Sequence, residues 1–462
     1  MLGTLLMVAL CVAGPGVVTP ATLLPSATAL TEQPNIVLVL TDDQTMESVA
    51  RMPYVSSRPD WVRFPNAYIQ NPLCCPSRAT ILTGRYDTHT KVTNNGATGA
   101  FDATNTLATW LDGAGYRTAL VGKYLNNYPR VAPDGLKPPG WTTFQAVADG
   151  TGTYAQYNWD LVADGVQQHF GYGPENYQVD VLTTRANEFI ERSATEEAPF
   201  FLYFAPTATH APWRASPARE GTYATAAVAN NVAMFNEADV SDKPAYIRDH
   251  AVQDAALMNT RRRKEWDAAL SVDDAVAALD RQLVASGVAE NTVMIFMTDN
   301  GYALGEHRWY GKTCQYRVCV QTPLLVRYPG LSARTRRQMV SNVDIASTVA
   351  DIAGVTPALA QDGHSFLPLM LSDGKPPWRN EVLHHWPGHR SRPTTSPDYV
   401  PPYWAIRSHT HLYVELGTGE RELYDLRDDP NELRNLAGQP AVAAQQAALA
   451  ERLAALRAAA LS

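Results

Sequence analysis

Ile36-Val37-Leu38-Val39-Leu40-Thr41-Asp42-Asp43 is the stretch on which the fold turns. Five apolar residues in succession, at strand length and without polar alternation, suit a strand buried on both faces, which is the habit of parallel sheets. The run then breaks into two acids. Val293-Met294-Ile295-Phe296-Met297 repeats the pattern and breaks into Thr298-Asp299-Asn300-Gly301. Thr118-Ala119-Leu120-Val121, Phe200-Phe201-Leu202-Tyr203-Phe204 and Leu324-Leu325-Val326 read the same way. Helical stretches fall between them, at residues 106–114 with Gly115 as the stop, 177–192 and 267–286. Strands and helices in alternation predict an α/β fold with a large mixed, mostly parallel sheet flanked by helices.

In an open parallel sheet, ligands gather beyond the carboxyl ends of the strands. Asp42, Asp43, Asp299 and Asn300 would therefore meet on one rim. All four offer oxygen, the donor set of Ca²⁺ or Mg²⁺ rather than Zn²⁺. The same side chains could also cap the helices or turns that follow.

Composition sets the outer bounds. The chain of 462 residues is long enough for one large domain and a smaller one. Its 45% hydrophobic and 18% charged residues fit a globular core and exclude a disordered or fibrous chain. A net charge of −8 speaks against a nucleic-acid partner bound by bulk phosphate attraction. Five cysteines are too few for a disulfide scaffold.

Residues 1–29 carry no charge, contain an apolar run from Leu5 to Leu10, and end in Ala27-Thr28-Ala29. They are expected to be a signal peptide, although the usual positive start is missing, and an uncleaved membrane anchor is the other reading. Pro15, Gly16 and Pro20 interrupt the segment, which disfavours a long spanning helix. The mature protein is then expected to be secreted or extracytoplasmic, without stable membrane contact. Residues 30–374 form the predicted catalytic domain, with a long insertion at 206–264 near the rim. Composition shifts around Gly374-Lys375-Pro376-Pro377, and residues 375–462 read as a small antiparallel sheet closed by an Ala/Leu-rich helix.

Cys74-Cys75-Pro76-Ser77-Arg78 leads into Leu82-Thr83-Gly84-Arg85. Pro76 suits a first helical turn, which sets Cys74 at a helix N-terminus, where an anion is favoured, and Arg78 one turn on. A buried thiol pair is the structural alternative.

Cys74-x-Pro76-Ser77-Arg78-x-x-x-Leu82-Thr83-Gly84-Arg85 resembles the signature of the sulfatase family, in the alkaline phosphatase superfamily. Gly122-Lys123-Tyr124, His210-Ala211-Pro212, Asp299-Asn300-Gly301, Lys312 and Leu423-Tyr424-Asp425-Leu426 extend the resemblance along the chain. It implies an alkaline phosphatase-like fold and a sulfate monoester as substrate. It implies that Cys74 is oxidised to formylglycine (3-oxoalanine) by a formylglycine-generating enzyme. It further implies Ca²⁺ on Asp42, Asp43, Asp299 and Asn300 with residue 74 beside it, and Arg78, Lys123, His210 and Lys312 around the sulfate. The aldehyde hydrate would supply the attacking hydroxyl, with His210 or Lys312 protonating the departing alcohol.

The chain departs from the usual pattern at Leu125, where many sulfatases carry a histidine. Gly122-Lys123-Tyr124-Leu125-Asn126, with Tyr302 after Asp299-Asn300-Gly301, resembles N-acetylglucosamine-6-sulfatases and extracellular heparan sulfatases. A sulfated small molecule or glycan is the implied substrate, and His89 and His307 are the candidates for the missing base or for substrate contact. Trp213 and Tyr302 are candidates for stacking on a sugar or aryl ring. Arg261-Arg262-Arg263-Lys264 reads as a solvated helix end, and Cys314 and Cys319 as a small-loop disulfide or free thiols. Two further readings stand beside the sulfatase: a phosphatase or phosphonate-ester hydrolase of the same superfamily, and an inactive relative that binds anionic glycans.

Overall fold

The computed structural model describes residues 33–129, 137–150, 152–229, 233–389 and 393–462. The expected leader, residues 1–29, lies outside them. The apolar run at Ile36 forms the strand Asn35–Thr41 near the middle of a ten-stranded sheet. It pairs in parallel with Thr292–Thr298 on one side and Phe200–Ala205 on the other. Arg117–Gly122 continues the parallel set beside Phe200–Ala205, and Thr143–Val147 follows it. Antiparallel neighbours flank this centre: Leu324–Arg327 beside Thr292–Thr298, and the hairpin Trp159–Ala163 with Val166–Phe170 at the far edge.

The central strands are apolar on both sides because both sides are covered. Ile36, Leu38 and Leu40 pack with Ala79, Leu107, Leu111, Ile345 and Val349 in one core. Val37 and Val39 point the other way, into a second core with Leu182, Phe189, Val276 and Leu283. Two helical layers therefore sandwich the sheet.

Leu107–Gly113 starts at Thr106, whose capping box with Thr109 satisfies the first turn, and Gly115 follows at φ 88°. Gln178–Ser193 agrees with the predicted helix within a residue at each end. The third helix is a correction. It runs over Ala255–Ala285, starting twelve residues before the expected 267. Asp254 caps it, accepting from the amides of Ala256 and Leu257. Arg261 to Lys264 is thus mid-helix, not a helix end. Arg262 is buried and forms ion pairs with Glu47, at 2.6 Å, and with Glu306.

The C-terminal part is the expected antiparallel sheet plus helix. Glu381–Trp386, Tyr403–Ser408, His411–Leu416 and Arg421–Asp425 form four strands in sequence order. The helix Ala443–Leu461 lays Leu449, Leu453 and Ala460 against Leu383, Ile406, Tyr413 and Leu423. Among the described residues, no helix is long and apolar enough to cross a membrane.

Candidate active site

Four adjacent strands end on one rim, and each delivers a charged or polar group. Thr41 and Thr298 are in register, so Asp42 and Asp299 emerge side by side. The Asp299 amide donates to the Thr41 carbonyl at 3.1 Å, and the Asp43 amide to Asp299 Oδ1 at 3.2 Å. Asp43 takes a left-handed backbone, φ 54°, which turns the chain so that both neighbouring carboxylates face the site. Lys123 follows Gly122, whose own φ is 123° and whose Cβ, if it had one, would meet Ala205 O at 2.1 Å. Only glycine allows that approach, and the Lys123 amide then reaches the Ala205 carbonyl. His210 follows the strand Phe200–Ala205.

The helix Cys74–Thr83 points its N-terminus into this rim and ends at Gly84, φ 67°. Cys74 Sγ lies 3.5 Å from Asp42 Oδ1 and 3.9 Å from Asp43 Oδ1. One turn on, Arg78 donates from Nε to Asp299 Oδ2 at 2.8 Å and from Nη1 to the Lys123 carbonyl at 2.9 Å. Its Nη2 is buried without a hydrogen bond, 3.9 Å from Asp42 Oδ2. Lys312 stands two residues before the small loop that the Cys314–Cys319 disulfide closes. Its Nζ lies 2.7 and 2.8 Å from the two Asp43 oxygens and 2.9 Å from Cys74 Sγ. Lys123 Nζ contacts Asp42 Oδ2 at 2.5 Å. His210 Nδ1 bonds the Ala211 carbonyl at 2.6 Å, and Nε2 lies 3.3 Å from Asp43 Oδ2.

Three carboxylates and three fixed cations are thus packed together, most of them buried. Burial alone would favour protonated acids. At Asp42 the attraction of Lys123, His210 and Arg78 outweighs burial and holds the carboxyl far below its usual range. At Asp299, burial and the nearby Asp42 prevail over Arg78 and push it up to about 6. Burial depresses His210, against the pull of Asp43. Burial also pushes the Cys74 thiol well above its ordinary value, despite Lys123 and Lys312. An unmodified Cys74 would therefore be a protonated, weak nucleophile.

The donor set fits a hard divalent cation. Asp42, Asp43, Asp299 and Asn300 offer oxygens only, and Asn300 Oδ1 is buried with no partner. One oxygen each of Asp42 and Asp299 and the Cys74 sulfur lie within 4.8 Å of one another, as do ligand atoms of Asp42, Asp43 and His210.

The structure gathers Asp42, Asp43, Cys74, Arg78, Lys123, His210, Asp299, Asn300 and Lys312. It does not gather the other three. His89 stands beyond the C-terminal end of the Cys74–Thr83 helix, with Nδ1 on Asp362 at 2.7 Å, in a separate cavity. Its bond to Asp362 and its separate cavity hold it outside the cluster, so it is not placed to act as the base. His307 is buried, with Nδ1 on Glu237 at 2.6 Å and its ring stacked on Tyr316. Trp213 is buried and lines another cavity, touching the site through its edge contact with Tyr302. Leu125 is in the core.

Above the charges opens a cavity of about 540 Å³, lined by Asn94, Asn95, Tyr302, Trp309, Tyr310 and Trp386 among others. Of these, only Tyr302 was singled out from sequence. The rest come from loops and from the end of a C-terminal strand, without a motif to mark them.

The profile of the sulfatase family matches residues 34–355. The chain belongs to the sulfatase family. Within that family it is a sulfuric ester hydrolase. A second profile, the C-terminal region of N-sulphoglucosamine sulphohydrolase, matches residues 305–459 of this sulfatase. N-acetylglucosamine-6-sulfatase of Capra hircus is 32% identical over 458 residues, covering 88% of this chain and 80% of that protein. A putative extracellular sulfatase Sulf-1 homolog of Caenorhabditis elegans is 32% identical over 378 residues, 76% of this chain and 52% of that one. Among solved structures, a protein in complex with its substrate D-glucosamine-2-N,6-O-disulfate superposes with a TM-score of 0.80. Identity to it is 24%, with 93% of this chain and 98% of that one covered, which establishes the shared fold.

Proposed function

We propose that this sulfatase removes a 6-O-sulfate from an amino sugar or a heparan-type fragment, with Cys74 matured to formylglycine and one Ca²⁺, replaceable by Mg²⁺, on Asp42, Asp43, Asp299 and Asn300. The observation that carries the reading is the meeting of Cys74 Sγ, Lys312 Nζ and the Asp42 and Asp43 carboxylates within 2.7–3.9 Å at a helix N-terminus. When bound, the cation would draw charge from the sulfate oxygens, and the matured residue 74 would supply the attacking oxygen.

The chain's own groups do the rest. Arg78, locked by Asp299, presents its Nη2, which makes no hydrogen bond within the protein, to a sulfate oxygen. Lys123, buried, and Lys312, at the cavity floor, add two fixed positive charges. His210, its Nδ1–H held by the Ala211 carbonyl, gives a proton to the departing alcohol from Nε2 in its imidazolium form, which Asp43, 3.3 Å away, favours against burial. Lys312 touches residue 74 and, as an ammonium, stabilises negative charge there. Position 125 is a leucine, so we assign discharge of the sulfated enzyme to His210, whose neutral form burial favours once its proton has gone to the alcohol.

Sugar recognition is supported by the aromatic and amide lining of the cavity and by the names of the relatives. An extracytoplasmic location is supported by the disulfide, by the leader-like residues 1–29 and by the extracellular relative. The test compares kcat/KM for N-acetylglucosamine-6-sulfate with that for an aryl sulfate. The sugar ester should win; an aryl preference above about tenfold, some 1.4 kcal/mol, removes the carbohydrate assignment and leaves a sulfatase of other specificity.

A further inference from the structure

Tyr154 lies against two of the groups just given roles, and no motif marks it. Its ring stacks on the His210 imidazole, with centroids 4.0 Å apart and planes inclined by 23°. Lys123 Nζ stands over the same ring, 5.1 Å from its centroid.

The placement is fixed by buried polar contacts. Tyr154 sits between the strands Thr143–Val147 and Trp159–Ala163. On one side of it, the Thr153 carbonyl accepts from Gln178 Nε2 at 3.0 Å. On the other side, Gln156 Nε2 donates to Thr207 Oγ1 at 2.7 Å. The Thr207 hydroxyl lies 2.6 Å from Gln178 Oε1 and 3.1 Å from the Thr153 carbonyl. Thr207 in turn accepts the His210 amide on its own carbonyl at 3.0 Å. Thr153, Gln156, Gln178 and Thr207 are all buried. One network therefore holds the backbone on both sides of the stack.

His210 needs such a wall. Its side chain keeps 22% of its exposure, and its Nδ1 bond runs to the carbonyl of the next residue. That bond and the 3.3 Å approach of Nε2 to Asp43 hold the two ring nitrogens but leave the ring free to tilt about the line between them. A flat face at stacking distance removes that freedom, and removing it before the reaction is where positioning groups gain rate. The same face, with its negative quadrupole, suits the Lys123 ammonium.

We propose that Tyr154 is a positioning residue for the sulfatase reaction, acting through its ring on His210 and Lys123. This rests on the role given above to His210, and not on the identity of the sugar. The hydroxyl is not required, because stacking and the cation–π contact belong to the ring.

Turnover of an aryl sulfate by Tyr154→Phe, Tyr154→Leu, His210→Ala and the Leu/Ala double variant tests it, each protein first checked by thermal unfolding. Tyr154→Leu should lower kcat about tenfold or more, with KM within about threefold of the parent, while Tyr154→Phe restores kcat to within about threefold. In the His210→Ala background, measured with long incubations, the Leu substitution should cost less than about threefold. If the Leu protein does not fold, Tyr154→Met takes its place in both backgrounds. A Phe variant as slow as the Leu variant, or equal Leu costs in the two backgrounds, overturns the proposal. An unchanged kcat in Tyr154→Leu beside a disabled His210→Ala also overturns it, and leaves the role of His210 standing. An unchanged kcat in His210→Ala overturns both.

Discussion

On the floor of the cavity, Asp42, Asp299, Arg78 and Lys123 are buried, and each is tied by a hydrogen bond or ion pair to another member of the cluster. At its mouth, Asn94, Asn95, Tyr302 and Tyr310 are half-exposed and Asp398 is exposed. The floor is delivered by four neighbouring strand ends and one helix terminus. The mouth is assembled from loops far apart in sequence and from Trp386 of the C-terminal sheet. The floor meets what every sulfate ester shares, an anion with three oxygens. The mouth meets what differs between esters. Chemistry and selectivity should therefore separate when each region is cut.

The deepest cut is Cys74→Ala, which should abolish turnover, by about a thousandfold or more, while the thermal unfolding curve stays close to the parent's. Only one small side chain at a helix terminus is lost. An enzyme that keeps turning over would place the nucleophile elsewhere.

Removing the cation is next. Treatment with a chelator should suppress turnover of sugar and aryl esters alike, and calcium should restore both. A requirement for zinc would contradict the all-oxygen donor set of Asp42, Asp43, Asp299 and Asn300.

A cut at the mouth should behave differently. Tyr310 lines the cavity and carries the Arg261 guanidinium 4.2 Å over its ring. Tyr310→Ala should lower kcat/KM for the sugar sulfate about tenfold, mainly through KM, and for a small aryl sulfate by less than about threefold. Equal losses on both substrates would erase the distinction between floor and mouth.

The last effect is on stability and not on turnover, and concerns the helix behind the floor. Burial raises Glu265 to about 7, against hydrogen bonds from the Thr45 amide and hydroxyl. A raised carboxyl binds its proton more tightly when folded. Its contribution is therefore present at low pH and is lost as pH rises from about 4.5 to about 7, on the order of 2–3 kcal/mol. Glu265→Gln should flatten that part of the stability–pH curve in urea titrations at fixed calcium. An unchanged slope would mean that Glu265 is not the source.

The same division governs what the sequence discloses. Strands buried on both faces must be continuous apolar runs, so Ile36 to Leu40 and Val293 to Met297 announce themselves, and the acids that end them mark the rim. The Cys74 to Arg85 signature is dense because one helix turn must present Cys74 and Arg78 together. The extended N-terminal part of the Ala255–Ala285 helix was hidden because Arg261 to Lys264 looks solvated, whereas Arg262 is paired inside with Glu47 and Glu306. Tyr154, Trp309 and Trp386 gave no signal, since an aromatic residue outside a motif reads alike whether it lines a site or a core. His89 is close to the signature in sequence, yet its ring is held by Asp362 in a separate cavity.

The central claim is that the cluster of Asp42, Asp43, Lys312 and Arg78 is built around a matured residue 74. Fragmentation mass spectrometry of the peptide holding Cys74 and Cys75, taken from a preparation whose sulfate release has just been measured, tests it most directly. The aldehyde should sit on residue 74, with Cys75 left as a thiol. Two intact thiols in active enzyme, or an aldehyde on residue 75, would contradict the account.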